Sequence, residues 1–191
     1  QAFLSGVIDE VLLWDEALPL DDITLHYEAG STPLDGQLTS ERVTQILDWI
    51  GWPADLRDID TGLTTCQSSD LGGNAWDYLN RVAETENGAV FVDGEGKVVF
   101  RNRTHFLTQT ASSYTFGDDG GTEVPFDDVQ FDYGEAQVTN EARVSRLGGV
   151  TRVATNSSSV TNFGPYGITR DGLLHDTDQE SQDHADYLTS D

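Results

Sequence analysis

The stretch from Ala89 to Arg101 constrains the fold of this chain more than any other. Ala89-Val90-Phe91-Val92 and Lys97-Val98-Val99-Phe100-Arg101 are two β-rich arms on either side of Asp93-Gly94-Glu95-Gly96. Apolar runs joined by a short glycine-rich loop pair with each other as an antiparallel hairpin. The loop glycines supply the positive φ that such a turn needs. A turn therefore accounts for Asp93 and Glu95 before any ligand does.

Two helices are expected ahead of the hairpin. Between Thr39 and Gly51, Val43, Ile46, Leu47 and Ile50 fall at i, i+3, i+4 and i+7, which is one helical stripe. Glu41 lies in the first turn, where a negative charge suits the helix dipole, and Gly51 and Pro53 stop the helix. The second helix runs from about Ala75 to Asn87. Asn74 is its N-cap, and Ala75, Leu79, Val82 and Ala83 form its buried face. Asn87-Gly88 ends it.

Beyond Thr104 the pattern turns to β. Val129, Phe131 and Tyr133 alternate with Gln130 and Asp132, as in a strand with one wet face. Ala142 and Val144 lead through Gly148-Gly149 into Val150–Ala154, a second hairpin, and Phe163-Gly164-Pro165-Tyr166-Gly167 makes a glycine-rich corner. Thr177 with Glu180 is a capping box that opens a closing helix, with Ala185 and Leu188 on one face. At the other end, Gly6 to Leu20 reads as an apolar strand and a turn leading to a short helix near Asp21. That strand has no partner close in sequence, and an isolated strand cannot bury both faces. Residues 30–38, rich in small and turn-forming types, read as a linker.

Composition narrows the function. The 191 residues suffice for one large domain or two small ones, and 4 Trp, 6 Tyr and 8 Phe supply a core. The formal net charge of −24, with Lys97 the single lysine, repels phosphate backbones, so nucleic acid is not an expected partner. No apolar run is long enough to span a bilayer. The single cysteine, Cys66, excludes an intramolecular disulfide framework. The chain opens on Gln1 and contains no Met, so its translated start is expected to lie elsewhere. The scattered acids fit a strongly hydrated surface, as in a salt-rich setting, better than calcium-binding clusters, and none stands at EF-hand spacing.

The titratable clusters have equally plain structural readings. Glu180 and His184 share a helix face, yet two ligands do not close a metal site. Asp118-Asp119-Gly120-Gly121-Thr122-Glu123 could cradle calcium but reads first as a surface loop. Asp9 and Glu10 pin a strand more readily than they bind ligand. Ser157-Ser158-Ser159 lies in no nucleophile elbow, and Cys66 has no histidine near it in sequence. The glycines make no phosphate-binding fingerprint. Trp14, Trp49, Trp52 and Trp76 fall in apolar-patterned segments and are expected in core or interface. No catalytic, cofactor-binding or metal residue is assigned, and no cofactor, with calcium the one ion left open.

Two resemblances follow. Gly6-Val7-Ile8-Asp9-Glu10-Val11 through Trp14 and Ala17-Leu18 resembles the closing strand of a laminin-G-like (concanavalin-type) jelly roll, G-x-I-D-E-V-x-x-W/Y-x-x-A-L. Residues 40–190 are similar to the minor tail or baseplate-hub proteins of long-tailed bacteriophages. The order that carries this is Gly51-Trp52-Pro53, Trp76-Asp77-Tyr78-Leu79, Ala83 to Gly88, the hairpin, Asn140-Glu141-Ala142-Arg143-Val144-Ser145-Arg146 (N-x-x-x-V-x-R) and the Phe163–Gly167 corner. None of these motifs is specific alone; their order and spacing are the evidence.

The resemblances imply an α+β, β-rich chain. Residues 1–29 would be a jelly-roll remnant, 30–38 a linker, 39–104 a helix and β-hairpin subdomain, and 105–191 an incomplete β-barrel-like hub domain with a C-terminal helix. Both ends are expected to be cut, with a barrel strand missing after the last helix. The implied role is structural and not enzymatic, at the tail tip of a virion. The implied partners are other tail or baseplate subunits, in a homo-oligomer that the family makes trimeric, and host-surface glycan through the missing jelly roll. The rival expectation is an extracellular glycan-binding module of laminin-G-like type, dependent on calcium.

Overall fold

A computed structural model describes residues 14–15, 17–24, 34–69, 73–108, 114–118, 120–130 and 138–190. The chain divides into two compact units, Gln1–Pro33 and Leu34–Asp191. In the first, residues 20–24 are helical, with Ile23 N donating to Pro19 O at 3.1 Å and the Thr24 hydroxyl to Leu20 O at 3.0 Å. This is the short helix expected near Asp21. The jelly-roll strand expected over Gly6–Leu13 lies outside the described residues.

The second unit begins with β1 (Gln37–Leu38), inside the segment read as linker, and passes into helix α1 (Thr39–Trp49). After a 3-10 turn at Ala54–Leu56 come β2 (Arg57–Ile59) and β3 (Thr65–Cys66), then helix α2 (Ala75–Glu86). The hairpin arms are β4 (Ala89–Val92) and β5 (Val98–Arg101), followed by the single turn α3 (His105–Thr108). The remainder is β6 (Glu141–Arg146), β7 (Arg152–Thr155), α4 (Ser157–Phe163), β8 (Gly167–Leu173) and α5 (Asp178–Leu188). The fold is α+β and β-rich, with three sheets and no closed barrel among the described residues.

The hairpin forms as expected, with Val90 opposite Phe100 and Val92 opposite Val98. Its loop is fixed by Asp93, whose carboxylate accepts from the backbone N–H of Glu95 and Lys97 at 2.9 and 2.8 Å, and by Gly96 at φ 83°. What the pattern did not disclose is that β5 is a central strand. Arg57–Ile59 pairs with it in parallel on its other edge. Val98, Val99 and Phe100 are all buried in consequence, and β5 therefore reads as a continuous apolar run.

The helices cover this sheet. Val43, Ile46 and Leu47 of α1 pack with Tyr78, Leu79, Val82 and Ala83 of α2 and with Val98 and Phe100 in one cluster. Ile50, expected on the same stripe, is 52% exposed because the helix ends at Trp49 and the chain turns away through Gly51 at φ 70°. Asn74 caps α2 as expected, accepting from Trp76 N at 2.8 Å, and Asn87 ends it in the left-handed conformation.

The third sheet has the order β7-β6-β8, antiparallel on one side of β6 and parallel on the other. Ala142, Val144, Ala154, Leu173 and Ala185 form its small core against α5. Between Val144 and Arg146 the β6–β8 register slips, and Gly172 at φ 69° takes up the extra residue. The chain leaving β8 then crosses to the first half. Gln67 N donates to Leu174 O at 2.8 Å and Asp176 N to Thr65 O at 3.1 Å, so β3 is flanked by β1 and by residues 174–176. Leu174 belongs to the first cluster and Leu173 to the second. The strand expected at Val129–Tyr133 lies mostly outside the described residues, and Val129 and Gln130 are in no strand.

Candidate functional site

Among the described residues, several of the groups singled out by sequence are engaged within the fold. Glu180 completes the expected capping box: the Thr177 hydroxyl accepts from Glu180 N at 3.2 Å, and Glu180 Oε2 accepts from Thr177 N at 3.0 Å. Its other oxygen accepts from Thr65 N of β3 at 3.2 Å, so both face backbone. His184 points into the interior and not along Glu180. In the loop at 118–123, the Glu123 carboxylate folds over Gly117, where a Cβ would collide with it at 1.7 Å, and Asp118 is exposed. No three His, Cys, Asp or Glu side chains converge as a metal site among the described residues.

Cys66 is fully buried, and burial pushes its thiol up to about 12, leaving it un-ionised near neutrality. It does meet a histidine: the fold sets it opposite His175 across an antiparallel bridge. The serine run at 157–159 opens α4, where Ser159 N donates to the Asn156 side chain at 3.0 Å. Neither arrangement offers a nucleophile with a base.

Three buried polar centres were not visible in the sequence. Arg42, on the inner face of α1, donates to Gln37 at 2.8 Å, Ser69 at 2.9 Å, Tyr78 at 2.8 Å, Gln67 O at 3.1 Å and Leu34 O. Glu86, at the end of α2, accepts from the Thr39 hydroxyl at 2.6 Å and from Leu63 N and Thr64 N at 3.0 Å, with Arg103 at 3.5 Å. Both are 0% exposed, which such side chains reach only when paired. The third centre is a pair of imidazoles, His175 and His184, in contact at 3.3 Å.

Asn140, first residue of the N-x-x-x-V-x-R motif, has a comparable role. Its amide donates to Gly164 O and accepts from Tyr166 N, both at 2.7 Å, clamping the corner to β6. The last residue of the motif, Arg146, donates to Asp178 at 2.7 Å and to Gln67 at 2.7 Å, and holds the Asp178 carboxyl below its ordinary pKa. The motif thus ties strand, corner and closing helix together.

The surface feature that stands apart is apolar. Trp49 and Ile50, leaving α1, and Trp76, entering α2, are 58%, 52% and 38% exposed. They border a slot of about 160 Å³ lined also by Ile46, Ala75 and Tyr78. Of the four tryptophans expected in core or interface, Trp52 packs against the core, while Trp14, Trp49 and Trp76 are exposed in the single chain. Trp49 stands three residues after Ile46 and Trp76 three before Leu79, each on its helix's stripe but at the helix end. Phe91 and Val92 add exposed apolar area on β4, which has a partner on one edge only among the described residues.

No protein-family model and no curated protein matches the sequence. Among solved structures, similar ones include two tail proteins. One is the 43 kDa tail protein of prophage MuSo2 from Shewanella oneidensis, with a TM-score of 0.42 and 13% identity over 81% of this chain and 44% of that one. The other is the tail protein from Neisseria meningitidis MC58, with a TM-score of 0.45 and 10% identity over 80% of this chain and 45% of that one. The chain spans under half the length of either. No helix among the described residues is long and apolar enough to cross a membrane.

Proposed function

We propose that this chain is a structural subunit of a bacteriophage tail, placed at the tail tip or baseplate hub, that works by assembly and not by catalysis. The observation that carries the reading is the exposed Trp49–Ile50–Trp76 face. A strongly acidic protein has little reason to leave two indoles and an isoleucine in water around an apolar slot unless another surface covers them. Its titratable groups support a scaffold equally, because the buried ones brace backbone and the clustered ones cap a helix or close a loop. The order of motifs along residues 40–190 supplies the kind of scaffold. A second copy is the proposed occupant of the apolar face, in a closed ring for which the family resemblance implies three subunits.

The test is localisation. Antibodies against the chain are applied to particles released from a strain carrying the gene and viewed with gold label. Label at the end of the tail is expected. Label confined to the cell envelope or the particle-free medium would instead place the chain among extracellular glycan-binding modules.

A further inference from the structure

His175 and His184 are 1% and 2% exposed and meet edge to face, ring centres 5.3 Å apart. Their hydrogen bonds determine where the protons sit. His175 Nε2 lies 3.1 Å from Thr85 O, a pure acceptor, so that nitrogen carries a hydrogen. His184 Nδ1, 3.3 Å from the same nitrogen, can then only accept from it. The hydrogen of His184 is left on Nε2, which is buried with no hydrogen-bond partner among the described residues. His175 Nδ1, 3.0 Å from the Ser181 hydroxyl, accepts from it.

This arrangement has no place for another proton on His184. Adding one puts N–H on Nδ1, directly against the N–H of His175 Nε2. His175 could take a proton at Nδ1 by reversal of the Ser181 hydroxyl, but that sets a cation against its neighbour. The charged groups around the pair come from four places: Glu86 at the end of α2, Glu180 on α5, Arg103 after β5 and Arg170 in β8. Arg103 disfavours a cation on either ring and Arg170 one on His184, and the acids act on His175 alone. The pair also stands where the halves of the unit join. Thr85 lies in the last turn of α2, His175 bridges to Cys66 of β3, and His184 lies on α5.

We propose that His175 and His184 form an acid-sensitive latch, closed only while both rings are neutral, whose protonation releases α5 from the α2–β3 junction. Burial drives the same way, holding His175 below its usual 6.5 and taking His184 down to about 3. The sign follows. An opened latch binds a proton near pH 6.5 and a closed one does not, so closure is fully favoured above about 6.5 and erodes as the pH falls toward about 3. A single histidine that regains its usual pKa on opening shifts the equilibrium roughly thirtyfold between pH 8 and pH 5. The latch stands independently of the assembly role.

Cys66, the only cysteine, reports on it because its backbone pairs with that of His175. The full chain is labelled with 4,4′-dithiodipyridine, which still reacts with thiols in mild acid, with rates normalised to a free thiol at each pH. Labelling is expected to accelerate about thirtyfold or more from pH 8 to pH 5, and His184→Leu to remove most of that rise. Equal acceleration in both proteins, or none in the native chain, overturns the latch. An NMR titration of the native chain gives the answer without the variant. His184 is expected to stay neutral, with hydrogen on Nε2, until the α5 amides lose protection. Ordinary titration of His184 near pH 6.5 with α5 still protected contradicts the proposal.

Discussion

Glu86 and Arg42 show how much of this fold is held by side chains that an amphipathic pattern does not mark. One oxygen of Glu86 collects the Thr39 hydroxyl and two backbone N–H groups of the loop before β3. Truncating it strands those donors in the interior and leaves Arg103 without its anion. Glu86→Ala is expected to cost about 3–5 kcal/mol in chemical denaturation. Glu86→Gln keeps an acceptor and is expected to lose less, about 1–2 kcal/mol. Asn140→Ala removes both side-chain bonds to the corner and keeps the backbone bonds of Asn140 N and Glu141 N to Tyr166 O, with an expected loss of about 2–3 kcal/mol; a loss under about 0.5 kcal/mol would show that the corner stands without the side chain. At this scale the sequence was legible where the partner is local. Asn74, Asp93 and the Thr177–Glu180 box act on backbone within four residues. Arg42 to Ser69 and Glu86 to Thr39 are long-range pairs, and in a chain with 34 acids nothing local marks Glu86 as the one that is buried.

Elements with strong periodicity were readable, and those with interrupted periodicity were not. All three long helices and both hairpins appear close to their expected ends. β2 was missed because Arg57-Asp58-Ile59 is short and two-thirds charged, and its place beside β5 depends on Arg101, which pairs with Asp58 at 2.5 Å and Asp60 at 3.1 Å. β8 was missed because Asp171 and Gly172 break its alternation at the point where its register shifts. α4 begins in a serine run that resembles a loop. With β5 paired on both edges and its Phe100 at 0% exposure, the first core hangs on this strand. Phe100→Ala is expected to cost about 3–5 kcal/mol. Gly96→Ala, at a positive φ with open space around it, is expected to cost only about 1 kcal/mol through backbone strain. If the two were equal in denaturant unfolding, β5 would not be the central element described here.

For the molecule as a whole, the fold class was within reach of the sequence, which placed the tryptophans in core or interface without deciding between the two. Trp49, Ile50 and Trp76 look like continuations of apolar helical stripes, and only the ends of α1 and α2 put them outside. The combination of an apolar face with a charge of −24 then fixes the sign of a salt effect. Copies that meet through this face must bring like charges together. Screening over about 10 Å at 0.1 M salt shortens to about 3 Å at 1 M, so association strengthens as salt rises. An assembly held by ion pairs would weaken instead. Sedimentation equilibrium of the chain at micromolar concentration, in 0.1 M and 1 M sodium chloride, with Trp49→Ser/Trp76→Ser as the control, tests the scaffold reading most directly. The expected result is a closed oligomer of the 20.9 kDa chain that tightens with salt and is lost in the double variant. A monomer under both conditions, or an oligomer that salt disperses and the double variant retains, would contradict it.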